Sequence, residues 1–200
     1  MSDATPTRSV VLEMKDERRA MFEGYVFLDE KCLLLAAEIL RELEQYDGLR
    51  RDFVALHSTA IEALEAAIVR HGLHGLQVYA GASVDGARLQ DTQRAVMGVR
   101  LQSVALDVGA VWELQAVDPS PEGESCRRAF AALLAPAASL AALAGNLERL
   151  SLEYQRSARR ARALQDVLLP ELDRSVYEVE SRLEELEQED AISMRQRATR

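Results

Sequence analysis

The spacing of apolar residues constrains this chain more than any other feature, because it repeats near 3.5 along two long stretches. One track runs through Met21, Tyr25, Leu28, Cys32, Leu35, Ile39, Leu43, Tyr46, Leu49, Phe53, Leu56, Ala60, Leu64 and Ala67, thirteen steps over 46 residues. A second runs through Phe130, Leu133, Ala137, Leu140, Ala144, Leu147, Ser151, Tyr154, Ala158, Ala161, Leu164, Leu168, Leu172, Val176, Val179, Leu183 and Leu186, sixteen steps over 56 residues. A straight helix repeats at 3.6; a period of 3.5 keeps one seam facing a partner helix as the two wind together. Two double steps of four in the first track, at 35–39–43 and 56–60–64, should relax the supercoil locally.

Helices that carry such tracks would each run on the order of 90 Å. A compact domain of this length has a radius of gyration of only about 16–17 Å, so the tracks predict two helices folded back on one another as a rod. Their seam is expected to use Leu28, Leu35, Ile39, Leu43, Leu147, Leu164, Leu168, Val179 and Leu183. Between the tracks the pattern changes. His71-Gly72-Leu73-His74-Gly75 is a helix stop, and residues 76–114 are rich in Val and Gly with alternating runs such as residues 94–101. One or two β-hairpins are expected there, with Asp85-Gly86 as a turn signal and a Pro/Ser/Gly loop at residues 118–123. The expected fold is mainly α: a long antiparallel two-helix coiled coil with a short β-hairpin middle segment. Its divisions fall at residues 1–75, 76–123 and 124–200. Pro136 should mark a first turn or a bend, and Pro170, inside the second helix, a kink.

Composition agrees with long helices: aromatic residues are 5%, charged residues 28%, and Trp112 is the one tryptophan. The net charge of −9 argues against nucleic acid as the main partner, since phosphate binding needs a basic surface. Cys32 and Cys126 stand far apart and form neither a disulfide framework nor a zinc motif. The Ala-rich stretch 129–147 is weak in the large apolar residues of a membrane span, and the N-terminus does not read as a secretory signal. No phosphate-binding loop, GxSxG, HExxH or CxxC pattern is present, so no enzyme, cofactor or metal site is expected. His71 and His74 read as exposed loop histidines. Arg156, Arg159 and Arg160 form a basic cluster suited either to pairing along the coil or to docking on an acidic or carbonyl-lined partner.

Several motifs, in order along nearly the whole chain, resemble the D subunit of V/A-type rotary ATPases. They are Ala4-Thr5-Pro6-Thr7-Arg8, residues 24–31 (GYVFLDEK), residues 96–101 (VMGVRL), residues 159–170 (RRARALQDVLLP) and residues 183–190 (LEELEQED). Arg162 stands where that family commonly has Asn, and Gln102 where a proline is frequent. The resemblance implies a non-catalytic central-stalk shaft turning inside a ring of A and B subunits. That shaft would couple ATP synthesis or hydrolysis to proton or sodium transport. It implies further contacts with a small F subunit and a socket (C/d-type) subunit, and a place on the cytoplasmic face of the plasma membrane without insertion into it. Both termini would then lie in the ring's bore, making Thr7, Arg8 and Arg195 candidate ring contacts. The alternative reading is a prefoldin-like holdase, which also joins coiled-coil helices through β-hairpins.

Overall fold

The computed structural model describes residues 7–79, 81, 86–108, 116 and 118–198. The opening Ala4-Thr5-Pro6, Asp85, Trp112 and the C-terminal Arg200 lie outside them. The elements are α1 (Arg8–Gln77), β1 (Arg88–Val96), β2 (Val99–Asp107), α2 (Pro121–Ala132), α3 (Leu134–Ala163), a π-helical turn (Leu164–Leu168) and α4 (Leu169–Ala198). Among the described residues the fold is thus mainly α with one two-stranded antiparallel sheet.

Helix ends follow local chemistry. Thr7 starts α1, its hydroxyl accepting the Val10 N–H at 3.4 Å. Near the other end Gly72 leaves the helical region at φ 67°, a left-handed conformation that costs glycine little. Ser120 caps α2, accepting the Gly123 N–H at 3.0 Å ahead of Pro121 in the first turn. α2 and α3 are divided at Leu133, whose N–H turns back to Phe130 O, and Pro136 lies in the first turn of α3, where its missing N–H costs least.

The hairpin differs from its expected layout in one respect. Residues 94–101, which read as a single alternating run, are divided by a tight turn at Met97-Gly98, with φ of 48° and 84°. Positive φ at both central residues is the turn geometry whose twist suits a two-residue hairpin, so Val96 pairs with Val99 and Arg88 with Asp107. Gly98 meets that demand at no cost. Met97 meets it against its preference.

The second helical stretch contains a wide turn. The Leu169 N–H bonds to Leu164 O, five residues back, and Pro170 comes next with no N–H to offer. The seam explains it. Leu164, Leu168, Leu172 and Val176 are spaced four, four and four, where an alternating heptad would use four, three and four. One surplus residue is therefore present, and a π-turn is how a helix absorbs one residue without rotating its later turns out of the seam. The proline expected to mark a kink is accompanied by this insertion.

The chain divides into two compact units, one of Met1–Leu34 with Tyr154–Arg200 and one of Leu35–Glu153.

Candidate interaction surfaces

In the unit Leu35–Glu153, the hairpin sits on α1 and α3. Leu35, Leu150, Val99 and Leu101 form a buried cluster against which Ile39 and Val96 pack. Beside it lies a polar lock. The Asn146 side chain accepts the Gln102 N–H at 2.8 Å through Oδ1 and donates to Gln102 O at 2.8 Å through Nδ2. That is how a neighbouring strand would bond an edge residue, so a single α3 side chain stands in for a strand beside β2. Asn146 Nδ2 also donates to Glu42 Oε2 at 2.9 Å, and Ser139 Oγ donates to Val104 O at 3.2 Å.

Glu42 and Asn146 are 3% and 2% exposed, so each needs its partners: a buried polar group left unbonded costs roughly 1–3 kcal/mol. Arg94 supplies the counter-charge, donating to Glu42 Oε1 at 2.6 Å and also to Glu38. Burial works against the Arg94 charge, but the hydrogen bonds and charges of Glu38 and Glu42 outweigh it and hold its pKa above the ordinary value.

Seam positions shift accordingly. Leu43 is 40% exposed while Glu42 is buried, so steps 35–39–42–46 replace the double step of four expected at 35–39–43. Along α3, Leu150 and Ser157 are buried rather than their neighbours Ser151 and Ala158, while Leu147 is half-buried. Counting apolar residues alone misses Glu42, Asn146 and Ser157 because all three are polar. Leu35 is fully buried and Ile39 half-buried.

The same unit contains a Ser–His–Asp grouping. His71 Nε2 lies 2.5 Å from Ser120 Oγ, and Nδ1 lies 3.7 Å from Asp118 Oδ2, too far for a hydrogen bond. The His71 side chain is only 6% exposed, with its ring edge-on to Tyr79, which corrects the expectation of a solvated loop histidine. A tight bond to the α2 cap and packing on Tyr79 bury it; His74 remains exposed. Ser120 is 7% exposed and its oxygen already caps α2, so this grouping ties the end of α1 to the start of α2.

In the unit of Met1–Leu34 with Tyr154–Arg200, antiparallel pairing is written in charge. Arg8 pairs with Glu187 at 2.8 Å, Lys15 with Glu180 at 2.5 Å, and Arg18 with Asp173. Hydrogen bonding and the charge of Asp173 raise the Arg18 pKa. Val11 and Val176 are buried, Leu28, Leu164, Val179 and Leu183 are half-buried, and Leu168, in the π-turn, is 41% exposed. Arg8 and Lys15 are seven residues apart, as are Glu187 and Glu180, so both pairs join the same flank of the seam. Thr7, Arg156, Arg159, Arg160 and Arg195 are all exposed. Arg159 bonds its own helix at Gln155 O. Large apolar residues are also open, among them Phe22, Phe27, Leu33 and Leu34. Among the described residues no group of three or more His, Cys, Asp or Glu is placed to hold a metal ion.

Residues 10–196 match the family model of the ATP synthase D subunit. The chain is 31% identical to the V-type ATP synthase D subunit of Anaeromyxobacter sp. (strain K), over 98% of this chain and 95% of that protein. It is 26% identical to the A-type ATP synthase D subunit of Methanopyrus kandleri, over 98% and 85%. It is 21% identical to the V-type ATP synthase D subunit of Thermotoga neapolitana, over 95% and 94%.

Proposed function

We propose, from the premise that this chain belongs to the ATP synthase D-subunit family, that it is the non-catalytic central-stalk subunit of a V/A-type ATP synthase or ATPase. As a rotor shaft it couples nucleotide turnover in a ring of A and B subunits to proton or sodium movement through the membrane. It meets a small F subunit and a socket subunit as well, and the complex sits at the cytoplasmic face of the membrane. The observation that carries this reading is the keyed antiparallel helix pair of Arg8–Glu187 and Lys15–Glu180, beside which large apolar residues are left open. A helix pair held in register by its flanks can transmit torque, and exposed apolar surface of this kind is what partner subunits cover. In this role residues 1–75 and 124–200 form the coil and residues 76–123 its membrane-facing cap. Thr7, Arg8 and Arg195 face the ring, and Arg156, Arg159 and Arg160 face a partner.

The test is co-expression with the A and B subunits of the same complex, followed by native mass spectrometry. One copy of this chain per ring is expected. A ring that assembles without it, with the chain recovered alone, overturns the proposal.

A further inference from the structure

In the unit of Met1–Leu34 with Tyr154–Arg200, the returning seam runs through Ser157, Ala161, Leu164, Leu169, Leu172 and Val176, all buried or half-buried. Its steps are four, three, five, three and four. The residue added by the π-turn therefore falls between Leu164 and Leu169, whose N–H bonds back to Leu164 O. Leu168, where a step of four would end, is instead 41% exposed.

Two leucines thus stand side by side where the seam needs one. The residues just before the neighbouring seam positions are Arg160, Ala163, Glu171 and Ser175, and none of them could take its successor's place with equal apolar bulk. Leu168 could. A regular turn from Leu164 would bring it into the seam, and the added residue would pass to the next turn, between Leu168 and Leu172. Leu164 and Leu172 keep their places in both arrangements. Residues 165–169 alone turn, by up to about 100°, one residue's share of a helix.

The facing part of α1 suits either leucine. Gly24 lies beside Leu164, where an added Cβ would stand 4.0 Å from its Cδ1, and Arg18 pairs with Asp173. Met21, half-buried, falls between these two contacts. Its unbranched side chain refits to a neighbour of changed position more readily than a β-branched one. Pro170 sets the preference. In a regular helix its ring would press on the carbonyl of Asp166, four residues back, and a wide turn ahead of the proline relieves that contact.

We propose that the π-turn is a two-position joint in which Leu169 and Leu168 alternate as the seam residue, with Pro170 biasing it to the arrangement seen. The joint lets residues 165–169 change the face they present while the helix on each side keeps its register. It belongs to the chain itself and holds with or without the stalk role.

The test uses the full chain. In thermal melts, Leu168→Ala and Leu169→Ala should each lower the midpoint by about 2 °C, because the other leucine serves the seam. The pair together should lower it by about 8 °C, roughly twice the sum. Additive losses overturn the joint. Thiol labelling, read at the peptide by mass mapping, reports the rotation directly. With Leu168 in place, Leu169→Cys leaves Leu168 as the better seam residue and turns the new thiol outward. Adding Leu168→Ala removes that alternative, so labelling at 169 should slow on the order of five-fold, while Pro170→Ala added instead should speed it. Simple loosening of the helix by Leu168→Ala would act in the opposite sense. Labelling that is unchanged or faster with Leu168→Ala overturns the proposal, and this ratio decides the matter if the double alanine variant does not fold.

Discussion

At the scale of single residues, the instructive positions are polar ones that behave as core. Glu42 and Asn146 occupy the place where α1, α3 and the hairpin meet, and each is bonded on more than one side. Asn146→Ala would strip partners from Gln102 N–H, Gln102 O and Glu42 together. We expect destabilisation of about 2–3 kcal/mol, read as a melting temperature lower by several degrees in circular dichroism, with faster amide exchange at Gln102. A period count selects Leu43 over Glu42 because it admits only apolar residues, and nothing local says that a glutamate 52 positions before an arginine will be neutralised by it. The two thiols make a second prediction. Burial raises the pKa of Cys126, and burial aided by Asp29 and opposed by Lys31 raises that of Cys32. A raised thiol pKa means less thiolate at neutral pH, so iodoacetamide should label both more slowly than a free peptide thiol. Rates should climb only as pH passes the usual thiol range. Cys126, more deeply buried, should react after Cys32, as peptide mass mapping would show.

At the scale of elements, the heptad tracks make both long helical stretches legible, and Val/Gly alternation makes the hairpin legible. The position of its turn is not, since Met97-Gly98 lacks the Asn-Gly or Asp-Gly signature and its geometry is imposed by the strands it joins. The π-turn is legible in principle. Three successive steps of four at 164–168–172–176 are an insertion signal, and Pro170 two residues beyond the turn removes a competing α-helical bond. Deleting Val167 together with Pro170→Ala removes both reasons for the wide turn, and the melting temperature should stay within about 5 °C of the parent. Deleting Ala158 instead turns everything after it by about 100°, and a large loss of cooperative melting is expected.

At the scale of the whole molecule, composition and period suffice to place the chain among long helical proteins, and motif order to suggest its family. What they cannot supply is which flank of the helix pair is open, because that depends on how two distant stretches are phased, and the phase is set by contacts such as Lys15–Glu180. An open apolar surface on a chain of net charge −9 has a physical consequence for the isolated protein. Repulsion between copies holds them apart at low salt, and screening weakens it, the Debye length falling from about 10 Å at 0.1 M to about 3 Å at 1 M. Sedimentation velocity should therefore show a monomer in dilute buffer and growing self-association near 1 M salt. The same chain assembled in its complex should not change.

Asn146 recognises β2 through the main chain alone. The side chain at 102 adds only a long 3.3 Å bond from Arg149, so the lock is nearly indifferent to spelling at that position. A saturation library at 102 scored by hairpin protection should thus be flat across nineteen amino acids of the standard set, with a single hole at proline, which brings a carbonyl but no N–H. Drift there is free in every direction but one.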